Sequence, residues 1–171
     1  QSKPVVLFVF KTHLEPNLGK LSFFKVISGE VTTGSELINS QTTATERIHQ
    51  LYIMDGKTRN PVDKLVAGDI GATLKLKDTY TNQTLHAKGY DITVNPIDFP
   101  EARIRTAVVA LSKKDDEKIG EVLHKIHQED PTLQVEFSKE IKQLIISGQG
   151  ELHLAVCKWF LENLYKLQVD F

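Results

Sequence analysis

His153 and Cys157 stand four residues apart, and His124 and His127 three apart, spacings that on a helix bring two side chains to one face and could offer a metal ion two ligands. Known zinc motifs draw three or four ligands from closed Cys and His spacings, and no such spacing occurs here, so no metal is expected. Cys157, the one cysteine, is a poor nucleophile, because thiolate activation needs a cationic or helix N-terminal setting and this residue falls two turns into its helix. Arg103 and Arg105 ahead of a strand suggest an acylphosphatase-like phosphate site. That chemistry also wants a glycine-rich loop after the strand. The residues there are Ser112-Lys113-Lys114-Asp115-Asp116, whose paired acids repel phosphate and suit a first helical turn. Gly19-Lys20 is followed by Leu21, and no glycine stands five residues before Gly19, so the chain lacks a phosphate-binding loop. No catalytic, cofactor-binding or metal residue is assigned, and the chain by itself is not expected to be an enzyme.

Two patches remain. Lys11, Lys20 and Lys25 could gather on one face and meet RNA phosphates, or be ordinary solvated strand positions. Lys113 and Lys114, together with the corner Ser147-Gly148-Gln149-Gly150-Glu151 and His153, form a second candidate. Leu144-Ile145-Ile146 suits a buried strand, the two glycines permit backbone angles closed to residues with a Cβ, and Glu151 puts a carboxylate in a first helical turn. Such a corner exposes backbone donors that could hold an anion or let another backbone come close; local physics favours the structural role.

The elements that must position these groups divide at Asn95-Pro96 and Phe99-Pro100, which bracket an extended connector; the expected domains are 1–96 and 97–171. The first half shows short apolar or alternating runs and no long helical stripe, and is expected to be all-β and closed into a barrel. Its expected strands are 5–11, 20–28, 36–39, 46–54, 69–76 and 85–87. Turns are expected at Pro16-Asn17, Ser28-Gly29, Thr33-Gly34, Asp55-Gly56, Asn60-Pro61, Ala67-Gly68 and Asn82. The second half predicts a strand over 105–111 and a helix over 115–128 that buries Ile119, Val122, Leu123 and Ile126. Strands over 133–137 and 143–146 follow, then a helix over 151–165 burying Leu152, Ala155, Val156, Trp159 and Phe160, and a last strand over 167–170. That order, βαββαβ, suits a ferredoxin-like α+β sheet with both helices on one face.

With 171 residues, 40% hydrophobic, the chain has enough material for two small cores. Twenty-one basic and 22 acidic side chains give a formal charge of −1, so any nucleic-acid contact has to be a local patch. One cysteine fits a reducing compartment, and cytoplasm is the default expectation. No apolar run approaches the length that spans a bilayer, and the opening Gln1-Ser2-Lys3-Pro4 lacks a secretion-signal pattern, so no membrane partner is expected. The first residue is not Met and Met54 is the single methionine, which suggests a piece of a longer protein.

Gly148-Gln149-Gly150-Glu151-Leu152-His153-Leu154 resembles the third domain of the elongation factor G family of ribosomal translocases. Phe99-Pro100-Glu101, Asp116-Glu117-Lys118 and Glu129-Asp130-Pro131-Thr132 add to the likeness. Gly19-Lys20-Leu21-Ser22-Phe23-Phe24-Lys25-Val26, Ser28-Gly29, and Val66-Ala67-Gly68-Asp69-Ile70-Gly71-Ala72 with Leu76-Lys77-Asp78 resemble the same family's second domain, in the same order. The resemblance implies a translation-factor domain II barrel followed by a domain III module. It implies docking on small-subunit ribosomal RNA and ribosomal protein, and coupling to a GTPase domain and C-terminal domains of a parent that carries GTP and magnesium elsewhere. The implied role is mechanical transmission during movement of tRNA and messenger RNA. Lys25 stands where the family usually has arginine, Ala110-Leu111 where it has Glu-Pro, Ala102 in place of a proline and Asn82 in place of a glycine, which suggests a divergent paralogue. A tetracycline-resistance type of ribosomal-protection factor is one alternative. A freestanding ferredoxin-like small-molecule sensor or acylphosphatase-like enzyme is another.

Overall fold

The computed structural model describes residues 3–15 and 18–171, so the turn expected at Pro16-Asn17 and the termini Gln1 and Ser2 lie outside the described residues. The chain divides into two compact units, Gln1–Ile97 and Asp98–Phe171.

The first unit is built from β1 (Val6–Glu15), β2 (Gly19–Ser28), β3 (Glu30–Thr32), β4 (Glu36–Asn39), β5 (Thr45–Arg47), β6 (Leu51–Asp55), β7 (Thr58–Val62), β8 (Lys64–Val66), β9 (Ile70–Leu74) and β10 (Gln83–His86). Eight of these form a curled antiparallel half-barrel in the order β5-β4-β10-β1-β2-β9-β6-β7, and β3 and β8 form a separate ribbon. Alternation decides which side chains fill the inside. Phe24 and Val26 of β2 point inward with Leu7, Val9, Leu37, Ile48, Leu51, Leu65, Leu76 and Leu85, while Lys25 and Ile27 face out. Two expectations change. The single strand over 46–54 is two strands, because Ile48 donates its N–H to Ser35 O (2.9 Å) and buries its side chain between them. Asn60-Pro61 is not a turn but part of β7, an end strand of the sheet, where a residue without an N–H leaves no ladder partner unmet. Gly29 is required where it stands: its φ is +72°, and a Cβ there would lie 2.5 Å from Lys3 O and 2.8 Å from Pro4 O.

The second unit runs β11 (Ile104–Ala110), α1 (Asp116–Glu129), β12 (Gln134–Ser138), β13 (Gln143–Gly148), α2 (Glu151–Asn163) and β14 (Val169–Asp170), with an antiparallel sheet ordered β12-β13-β11-β14. This is the ferredoxin-like arrangement. Helix α1 buries Ile119, Val122, Leu123 and Ile126, as its periodicity dictates. Helix α2 buries a different face from the expected one: Leu154, Cys157 and Leu161 are inside, whereas Leu152, Val156 and Trp159 are exposed, Ala155 is also outside, and Phe160 is partly buried. Apolar residues encircle α2, so two stripes compete and periodicity alone does not choose between them. The junction with β13 sets the rotation, by packing Leu154 against Gly148. No helix of the described residues is long and apolar enough to cross a membrane.

Candidate functional site

Strand β13 ends at Gly148, and α2 begins at Glu151 after two residues. The corner is close-packed rather than strained. A Cβ on Gly148 would lie 2.9 Å from His153 Nδ1 and 3.0 Å from Leu154 Cδ2, so only glycine lets the start of the helix fold back onto the strand end. The expectation that both glycines supply forbidden backbone angles is corrected here. Neither lies in the left-handed region; Gly150 is extended, with φ at 177°, and a Cβ on it would meet nothing within 4 Å.

Hydrogen bonds tie this corner in three directions. Gly148 O accepts the Arg103 N–H at 2.8 Å, and Gln149 Nε2 donates to Pro100 O at 3.1 Å and Glu101 O at 2.9 Å, so the segment leading into β11 is clasped to the corner. The Gln149 N–H donates to His153 Nδ1 at 3.0 Å, and His153 Nε2 meets Asp130 Oδ2 at 2.7 Å, just past the end of α1. Asp130 Oδ1 accepts the Thr132 N–H at 3.0 Å and its hydroxyl at 2.5 Å. Burial raises the Asp130 pKa, but the bonds from Thr132 and His153 outweigh burial and hold the carboxyl below its ordinary value. Ser147 pairs in register with Arg105 and Gln134, and Glu151 is exposed in the first turn of α2. Sequence reasoning found the corner but missed Asp130 and Thr132 as its partners. The available signal was Asp130-Pro131-Thr132, a helix stop whose aspartate caps its own turn.

The lysines separate. Lys11 is exposed, its Nζ 5.6 Å from the Phe23 ring centre, and Lys25 is exposed on the outer face of β2 between Phe8 and Ile70. Lys20 turns inward: Nζ donates to Thr79 O at 2.8 Å and sits 4.0 Å over the Tyr80 ring. Burial lowers its pKa, and the charges of Glu46 and Asp78 pull it partly back up. Lys113 and Lys114 are exposed in the turn before α1. They do not share a patch with the corner. Ile104 is paired with Gly148, so the corner lies at the start of β11 and the lysines beyond its end, about 20 Å away along the strand.

The chemistry weighed against these patches finds little support in the geometry. Burial first, then the Asp130 charge, pushes the Cys157 thiol up to about 12, far from a thiolate at neutral pH. Arg105 lies 3.8 Å from Glu136 across the sheet. His127 Nδ1 is 2.5 Å from Leu133 O, and among the described residues no three His, Cys, Asp or Glu side chains converge as a metal site would need.

A family model described as Elongation factor G domain 2 matches residues 4–88, and one described as Elongation Factor G, domain III matches residues 99–171. A crystal structure of a Thermus thermophilus protein matches 98% of this chain at 27% identity with a TM-score of 0.85. The match covers 25% of that chain, so the present sequence spans about a quarter of its length.

Proposed function

Because the chain belongs to the elongation factor G family, carrying its second and third domains in series, we propose that it works as the docking and transmitting segment of a translation elongation factor. The half-barrel docks on the small ribosomal subunit, touching RNA and ribosomal protein. The ferredoxin-like unit passes changes in the state of a GTPase domain onward while tRNA and messenger RNA move. GTP and magnesium belong to that GTPase domain, which also hydrolyses the nucleotide; C-terminal domains complete the machine, and the factor works in the cytoplasm. The observation that carries this reading is the succession of two family matches that between them occupy nearly the whole sequence.

The exposed basic groups give the proposal a chemical form. Lys11 and Lys25 on the outside of the half-barrel, and Lys113 and Lys114 beyond β11, are free to meet phosphates, whereas Lys20 is spent on Thr79 O and the Tyr80 ring. Ribosome pelleting by the full-length gene product, with GTP and with GDP, tests it. We expect nucleotide-dependent pelleting that weakens with salt, and Lys25→Ala should lower the salt slope by about one. No pelleting in either nucleotide state would end the proposal.

A further inference from the structure

His153 is engaged through both ring nitrogens. Nδ1 receives the Gln149 N–H and so carries a lone pair; the ring's one proton therefore sits on Nε2, directed at Asp130 Oδ2. The neutral ring in this tautomer satisfies both partners at once. An imidazolium cannot, because it is a donor at both nitrogens, and the Gln149 N–H would then face another N–H. The Asp130 side responds in the opposite sense, since a charged donor bonds a carboxylate more strongly. A second proton therefore shifts the ring's hold from the corner to the end of α1.

The amide released in this way belongs to Gln149, whose side chain clasps Pro100 O and Glu101 O in the segment leading into β11. Asp130 meets the ring directly, and the other ionisable residues of the segments that converge there are His127 and Glu129 at the end of α1, Glu151 and Cys157 on α2, and Glu101 and Arg103 on the lead-in segment. We propose that His153 is a proton-operated latch on the Gly148-Gln149-Gly150 corner, whose protonation frees the Gln149 amide while the Asp130 contact holds, and so loosens the clasp on residues 100–103. This goes beyond the docking role and does not depend on it.

A nitrogen-15 NMR titration of the 171-residue chain tests the latch. While the ring is neutral, His153 should show a bare Nδ1 and a protonated Nε2. On acidification, the protonation of Nδ1 and the shift of the Gln149 amide should share one midpoint. Protection of that amide from exchange, relative to its intrinsic rate, should fall roughly five- to tenfold, as expected for one lost hydrogen bond, while the Ile145 and Ile146 amides of β13 stay fixed. His153→Asn, whose side-chain oxygen can take the place of Nδ1 without titrating, should keep Gln149 protected throughout. His153→Gln, which reaches toward Asp130 instead, should leave Gln149 released at every pH. A Gln149 amide that ignores the ring's titration, the same response persisting in His153→Asn, an Nδ1-protonated tautomer of the neutral ring, or sheet amides moving with the same midpoint would each overturn the proposal.

Discussion

Each unit carries a polar network that ties distant segments, and the two are built in opposite ways. In the half-barrel, Lys20 reaches inward to Thr79 O, Glu46 Oε1 accepts the Lys77 N–H at 3.0 Å, and Asn39 Nδ2 donates to Thr79 Oγ1 and Gln83 Oε1 at 3.0 Å each. Strands β2, β4 and β5 thereby pin the segment 77–83 from the interior, through side chains largely withdrawn from water. In the ferredoxin-like unit, the network of Asp130, His153 and Gln149 runs along the rim over an entirely apolar core, with His153 and Asp130 half-buried. A buried network of this kind is rigid, because any unmade bond costs the full desolvation of its partner. A rim network can exchange bonds with water, and is the one able to change state.

The largest expected effect on either polar network comes from breaking the interior one. Glu46 is 2% exposed, and its Oε2 has no partner among the described residues, so the carboxylate is held through Oε1 and the nearby charge of Lys20. Glu46→Ala would orphan the Lys77 N–H and leave Lys20 half-buried with Asp78 as its remaining counter-charge. The first unit should lose about 2–3 kcal/mol in urea unfolding. A loss below about 0.5 kcal/mol would mean that this end of the half-barrel is wet and that the contrast with the rim fails.

The two networks were unequally legible in the sequence, and for a physical reason. Strand periodicity places Lys20, Ser22, Phe24 and Val26 on one face, but a lysine next to a turn reads as solvated unless its partner is known. Thr79 lies 59 residues away in a segment without periodicity. The rim was half-legible: Gly148 and Gly150 announced the corner, while Asp130 could not be joined to His153 until α1 and α2 were packed together. The separation of Lys113 and Lys114 from that corner follows from an antiparallel register, which residue spacing does not display. Helix α1 was legible because its apolar residues occupy one face, and α2 was not because its apolar residues occupy nearly all of them.

At the rim the expected effects are smaller and specific to position. Gly148→Ala should cost the second unit about 1–2 kcal/mol, since the new methyl must displace the His153 ring and the Leu154 side chain, both anchored. Gly150→Ala, two residues on, has an extended φ and open space, and should be neutral to slightly stabilising. Equal costs at the two glycines would show that the corner yields as a whole.

Asp130 gives the rim an acid dependence. Its carboxyl lies below the ordinary value in the folded chain, so its stabilisation is fully present above the unfolded value of 3.8 and is lost as pH falls through the folded value. Asp130→Asn should flatten that acid limb in the unfolding of the second unit, by less than about 1 kcal/mol because solvent screens a partly exposed pair. An unchanged limb would assign the acid response to other carboxylates.

The smallest effect tests whether the corner truly sets the rotation of α2. Trp159 is 53% exposed and touches Phe160 edge-on, with ring centres 5.7 Å apart, whereas Leu161, two residues on, is fully buried. Leu161→Ala serves as the reference and should cost about 3 kcal/mol through the cavity it leaves. Trp159→Ala should cost no more than about 0.5 kcal/mol, despite removing the larger side chain. The ratio carries the information, because a helix turned to bury the stripe of Leu152, Val156 and Trp159 would reverse it. A reversal would also move His153 away from Asp130, since His153 turns with the rest of α2. The order of these two costs thus decides whether the rim network exists at all.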